Sequence, residues 1–146
     1  IHEALLKLRQ CIPEEEFTHQ VQFWRGMKNL DITEDFMTKV FIVCAIIFKH
    51  IHISIIIQGG TELACMSTST SKSIVANYAN SEQPLIFRIK SDGFMTRGAD
   101  ISWLSMYPEE AEILYPPLTY LKPVRKTRIK NSKGYIIDVK PQLSSS

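Results

Sequence analysis

Apolar residues along this chain fall into short blocks, and the spacing inside each block predicts a different element. Over Glu3–Cys11 they stand at helical spacing (Ala4, Leu5, Leu8), and Pro13 ends the segment because proline lacks a backbone donor. Val21–Trp24 reads as a short strand running into Arg25, Gly26 and Met27. Thr33–Lys39 suits a short helix capped by Thr33 or a neighbour. Cys65–Ser69 reads as a second strand entering a turn, and Ser71–Ala79 as an amphipathic helix with Ile74, Val75 and Tyr78 on one face. Pro84–Lys90 alternates, with Leu85, Phe87 and Ile89 on one face and Ile86 and Arg88 on the other. Ile113–Tyr115 and Tyr135–Val139 are further strands, the last bounded by Gly134 and Pro141. Ser144–Ser146 is a frayed tail. Few helices, and strands crowded toward the C-terminus, make the class α+β.

Val40–Gln58 obeys neither period. It gathers Ile and Val with Phe41, Cys44, Ala45 and Phe48, broken by Lys49, His50 and His52. Its uninterrupted run, Val40–Phe48, is about half the ~20 residues that a membrane helix needs, so a membrane partner is not expected. Every valine codon begins with GT and a glutamine codon can end in AG, as the two ends of an intron do. The segment is therefore either a retained-intron artefact or a genuine hydrophobic insertion.

The chain has 146 residues, enough for one domain and not comfortably two. A net charge of +2 does not argue for nucleic acid, and the basic stretch Lys122–Lys133 has no interleaved aromatic to stack on bases, so it reads as a solvated loop. Cys11, Cys44 and Cys65 form no CxxC, and His2, His19, His50 and His52 stand at no ligand spacing; neither a disulfide framework nor a metal site follows. The chain begins at Ile1 and carries no secretory signal pattern, which leaves the compartment open.

Chemistry concentrates in Pro108–Pro117, PEEAEILYPP, where Glu110 and Glu112 lead into an apolar strand. Positions two apart on a strand share a face, so the two carboxylates are expected to point into one space with alpha carbons roughly 6–7 Å apart. Glu109 falls on the opposite face as surface. Paired acids of this kind serve reactions at sugar carbons, although an exposed, solvated turn has the same composition.

Three segments stand in order: FWRGM (Phe23–Met27), MSTSTSKSIVANYA (Met66–Ala79) and RGADISWLSMYPEEAEILYPPLTYL (Arg97–Leu121). This succession of Arg, Ser-Thr-Ser and Glu-x-Glu resembles the arginine-specific mono-ADP-ribosyltransferases, the R-S-E class related to several bacterial toxins. The resemblance implies a split, twisted β-sandwich of the ADP-ribosyltransferase type whose cleft holds NAD as a substrate, with no metal. Ile1–Gln20 supplies about one helix of the family's N-terminal lobe, so residues 1–146 are expected to be a single, N-terminally truncated domain with Val40–Gln58 as an anomalous insert.

By the same resemblance, Glu112 matches the catalytic glutamate and Glu110 the acid that receives the acceptor's guanidinium. Arg25 matches the arginine that grips the NAD phosphates, and a guanidinium fork suits a pyrophosphate better than a lysine point charge. Gly26 lets the dinucleotide approach the backbone. Ser67 matches the serine that holds the glutamate or the ribose, with Thr68 and Ser69 supporting the turn. Trp103 and Tyr107 lie on the loop where the family recognises its protein target, and Arg97 matches a structural ion-pair partner rather than a ligand. Gly59–Glu62 matches a turn. The implied reaction is transfer of ADP-ribose to protein arginine. Two alternatives stay open: an NAD glycohydrolase, and a catalytically silent fragment or binding module of the same fold.

Overall fold

The computed structural model describes residues 1–16, 19–28, 36–37, 59–73, 77 and 81–143. The segment Val40–Gln58 lies outside them. So do most of Thr33–Lys39, the Ile74, Val75 and Tyr78 face of Ser71–Ala79, and the tail Ser144–Ser146; Phe36, Met37, Lys72, Ser73 and Asn77 are helical.

Among the described residues, helix α1 (His2–Arg9) precedes eight strands. The strands are β1 (Val21–Met27), β2 (Gly60–Glu62), β3 (Met66–Ser69), β4 (Leu85–Ser91), β5 (Ala99–Asp100), β6 (Glu112–Tyr115), β7 (Thr119–Arg128) and β8 (Tyr135–Gln142). They form one mixed sheet in the order β2-β7-β8-β4-β1-β3-β6-β5, in which β4 and β8 run parallel and every other pair is antiparallel. The α+β class holds.

The sheet is nearly cut in two. β1 pairs with β4 along its whole length, from Val21↔Ser91 to Met27↔Leu85, but meets β3 only at Trp24↔Ser69 among the described residues. Five strands therefore lie on one side of the cut and three on the other. A second constraint curls the sheet. β2 and β3 stand five places apart in the order, which is about 24 Å across a flat sheet. Only Leu63, Ala64 and Cys65 join them, and a link that short spans at most about 15 Å. The sheet must therefore fold over on itself, and the two halves enclose one core.

The alternation in Pro84–Lys90 places that core correctly: Leu85, Phe87 and Ile89 are buried, together with Phe23, Met66, Ile113, Tyr115, Ile137 and Val139. Phe23 meets the Tyr115 ring edge-on at 6.1 Å between centroids, so the two halves touch through aromatics beneath the split. Gly134 closes the β7–β8 hairpin where an added Cβ would collide with the Pro84 carbonyl.

The stretch Lys122–Lys133 is not a loop, as its charge suggested. Most of it belongs to β7, which pairs with β8 from Tyr120↔Gln142 to Arg128↔Tyr135. Its pairing comes from the backbone, and its outward side chains need no apolar pattern. A register shift between Pro123 and Arg125, at a residue that lacks an N–H, turns Arg125 toward β8. There Asp138, 1% exposed, receives Arg88 Nε and Nη2 at 2.7 and 2.8 Å, Lys90 Nζ at 3.0 Å and Arg125 Nη2 at 3.2 Å. Burial pushes its carboxyl pKa up, but the hydrogen bonds and charges of Lys90 and Arg88 outweigh burial and hold it below the ordinary value.

Candidate active site

The expected site residues converge where the sheet is cut. One residue beyond the Trp24↔Ser69 pair, Arg25 is half-buried, with Nη1 3.5 Å from the Ser67 carbonyl oxygen and Nη2 3.6 Å from Glu62 Oε2. Both contacts are long, so the guanidinium is aimed but loosely held. Gly26 pairs with Ile86 inside the same strand.

β3 and β6 are antiparallel, with Ser67↔Leu114 and Ser69↔Glu112 in register, so Ser67 and Glu112 are diagonal neighbours on one face. The Ser67 hydroxyl donates to Glu112 Oε1 at 2.6 Å, the length of a charge-assisted bond to a carboxylate. The three hydroxyls of the Ser-Thr-Ser run do three different jobs. Ser67 orients the Glu112 carboxylate. Thr68, on the buried face, donates to the Ile113 carbonyl at 2.8 Å and ties β3 to β6. Ser69 donates to the Glu110 carbonyl at 2.6 Å and anchors the turn that precedes β6.

That turn corrects one expectation. Pro108–Glu110 is a single turn of 3-10 helix, and Ala111 beyond it is left-handed, at φ 46 and ψ 57. Only Glu112 belongs to the strand. Glu110 is on the preceding turn, so the strand-derived separation of the two carboxylates does not apply. A left-handed conformation costs an alanine about 1 kcal/mol, and such strain persists where surroundings fix it. Here Glu110 N bonds the Tyr107 carbonyl at 3.0 Å and Ala111 N the Pro108 carbonyl at 3.1 Å, while Thr70 N reaches the Ala111 carbonyl at 3.4 Å.

The loop ahead of the acids starts with an Asp100 side chain accepting from Ser102 N at 2.9 Å. It then exposes Trp103, Leu104, Met106 and Tyr107. Sequence reasoning named Trp103 and Tyr107 and passed over Leu104 and Met106, which sit between them and form one apolar crest. Glu62 was missed because Gly59–Glu62 reads as a turn; Gly60–Glu62 is instead strand β2, paired with Thr119–Leu121. Gly59 alone keeps turn character, at φ 117. Arg97 is buried and donates Nη2 to the His19 carbonyl at 3.1 Å, away from the cluster around Glu112.

Trp24 is flanked by Lys72 Nζ at 5.2 Å and Arg88 Cζ at 5.8 Å from its ring, next to Arg25. Arg25, which leans on Glu62 through one long contact, and Lys72 suit an anionic substrate there, whereas Arg88 is committed to Asp138. Among the described residues, no group of three or more His, Cys, Asp or Glu is placed to hold a metal ion.

The chain belongs to the ADP-ribosyltransferase exoenzyme family, whose sequence model matches residues 1–141. Curated protein sequences give no match. Among solved structures, the chain is similar to the ADP-ribosyltransferase HopU1 of Pseudomonas syringae pv. Tomato DC3000, with 18% identity over 94% of this chain and 49% of that one, at a TM-score of 0.61. It is also similar to the C3 exoenzyme of Clostridium limosum, with 16% identity over 97% of this chain and 67% of that one, at 0.61. The ADP-ribosyltransferase Vis of Vibrio splendidus, solved in complex with agmatine, gives 18% identity over 87% of this chain and 51% of that one, at 0.52. At these identities the likeness is one of fold. The chain spans about half the length of HopU1 and Vis.

Proposed function

We propose that this chain carries the catalytic strands of an NAD-dependent mono-ADP-ribosyltransferase that modifies arginine side chains and releases nicotinamide. The observation that carries the reading is the 2.6 Å bond from Ser67 to Glu112 beside Arg25, at the cut in the sheet. Exoenzyme S of Pseudomonas aeruginosa, of the same fold (TM-score 0.54), is solved bound to Carba-NAD, which supports the donor. Agmatine, the ligand solved with Vis, ends in the same guanidinium as arginine and supports the acceptor.

The chemistry follows from charge. The bond between ribose C1′ and the nicotinamide nitrogen breaks with its electron pair going to nicotinamide, which leaves oxocarbenium character at C1′. Glu112, fixed by Ser67, stabilises that charge and can accept the ribose 2′-hydroxyl. Arg25 exchanges its long contact with Glu62 for the pyrophosphate, a better bidentate partner. Gly26 leaves the backbone of β1 free of a side chain there. Glu110, on the turn outside the strand, orients the incoming guanidinium and takes the proton that it loses as its nitrogen bonds to C1′. Trp103 and Tyr107 dock the protein that bears the arginine.

Incubation with labelled NAD and agmatine tests the reading. Label on agmatine supports it; free ADP-ribose alone indicates a glycohydrolase, and no turnover a silent module. Glu110→Gln is expected to lose transfer while keeping some NAD hydrolysis. Transfer at the parent rate in that variant would remove Glu110 from its role.

A further inference from the structure

We propose that the outer edge of β7 receives an extended acidic segment of another protein as an added strand. β7 pairs with β8 over nearly its whole length, but among the described residues β2 covers its other edge only at residues 119–121. Gly59, at φ 117, ends that cover. From residue 122 to residue 128, the backbone groups of alternate residues therefore face outward with no described strand beside them. Pro123 and the register shift next to it interrupt the edge, and residues 125–128 are its regular part.

Charge decides what can fill it. Between Glu112 and Asp138 the chain has no acidic residue and carries Lys122, Arg125, Lys126, Arg128, Lys130 and Lys133, each exposed. Their contacts inside the protein are light. Arg125 reaches Asp138 at 3.2 Å yet its side chain stays 63% exposed, and Lys126 Nζ lies 4.1 Å from the centre of the Tyr135 ring. Glu82 stands with Arg128, Lys130 and Lys133 at the β7–β8 turn, which leaves the excess there positive.

The register puts these cations on both faces of the strand. Lys122 and Arg125 pair with Lys140 and Asp138 on one face, and Lys126 and Arg128 pair with Ile137 and Tyr135 on the other. A planar membrane reaches only one face of an edge strand. An added strand reaches both, because its own side chains alternate while its backbone completes the ladder. The Tyr135 ring already carries Lys126 on one side, which counts against stacked bases. A second copy of the chain is repelled, since its edge bears the same charges.

The probe is the peptide Thr-Glu-Glu-Val-Glu-Glu-Val-Thr, blocked at both ends, whose adjacent glutamates point to opposite faces of a strand. Fluorescence anisotropy with the full chain is expected to show it binding about tenfold tighter than its Gln counterpart, the sum of several exposed ion pairs. A version N-methylated along its backbone keeps the charge and loses its ladder donors, so it should bind about tenfold more weakly than the parent peptide. Bound parent peptide should also slow hydrogen exchange at edge-facing amides within residues 125–128. Lys126→Gln combined with Arg128→Gln alters two exposed side chains and should remove most of the preference for the acidic peptide at an unchanged thermal midpoint. None of these readouts needs turnover, so they stand apart from the reading of the active site. Equal binding of the acidic and Gln peptides, equal binding of the N-methylated peptide, unchanged exchange, or an undiminished preference in the double variant overturns the proposal. So does tighter binding to phosphatidylserine vesicles or to a single-stranded oligonucleotide than to the acidic peptide.

Discussion

The two halves of the sheet bury charge in opposite ways. In the five-stranded half one carboxylate, Asp138, is met by Arg88, Lys90 and Arg125 and closes on itself. Beside the three-stranded half two guanidiniums are buried among the described residues, Arg9 on α1 and Arg97 ahead of β5, and Arg97 donates to the His19 carbonyl. The first arrangement fastens three strands whose side chains cannot all be apolar. The second places two cations beside β5, against which α1 packs. Ser67 and Glu112 lie on the three-stranded side of the Trp24↔Ser69 pair and Arg25 faces them from β1 across it, while the Asp138 cluster lies wholly on the five-stranded side.

The sharpest way to break this division is Glu112→Gln. The variant keeps the shape and removes the charge, so transfer is expected to fall about a thousandfold, roughly 4 kcal/mol of transition-state stabilisation. Its thermal midpoint should match the parent's. A large loss of stability would mean that the three-stranded half also holds the fold.

Asp138→Asn should do the reverse. Three cations would then face a neutral group, at a cost of about 3 kcal/mol, most of it from Arg88 and Lys90 because Arg125 is well exposed. Activity per folded molecule should persist. Because the folded carboxyl sits below its ordinary value of 3.8, the stabilisation is full above that pH and is lost as pH falls below it. Denaturant midpoints taken from about pH 7 down to about pH 2 should drop on the acid side in the parent and flatten in the variant.

Tyr115→Phe probes the other half with the smallest expected effect. It removes the 3.2 Å bond to the Thr96 carbonyl, worth about 1 kcal/mol, and keeps the ring in the core. Burial pushes the Tyr115 hydroxyl up from its ordinary value of 10.0, so its contribution is full below that pH and is lost as pH rises above it. Alkaline unfolding should therefore begin at higher pH in Tyr115→Phe. An unchanged alkaline limb would show that the corner around Arg9 tolerates a phenolate.

Much of this was legible in the chain because period and burial agree where strands face the core. Leu85, Phe87 and Ile89 announced β4, and the order Arg25, Ser67, Glu112 named the three residues that the fold brings together. The failures share a cause. β7 was hidden because its outer side chains are solvated and its partner is a backbone. Glu62 was hidden because a three-residue strand is too short to show alternation. The turn at Glu110 was hidden because alanine gives no sign that Ala111 is left-handed, a conformation fixed by Ser69 and Thr70 from a distant strand. Spacing along the chain says which side chains share a strand, and only tertiary bonds say where a strand begins.

The parallel pairing of β4 with β8 sets a schedule for synthesis. β8 lies between β7 and β4 although both precede it in the chain, and Arg88 waits for a partner 50 residues downstream. A nascent chain can pair β3 with β6 and bring Ser67 to Glu112 while the middle of its sheet is still missing. The β1–β4 pair that presents Arg25 then has nothing on its outer flank until Tyr135–Gln142 has left the ribosome. Ser67 and Glu112 can thus meet early, whereas the scaffold that holds Arg25 is completed only by β8.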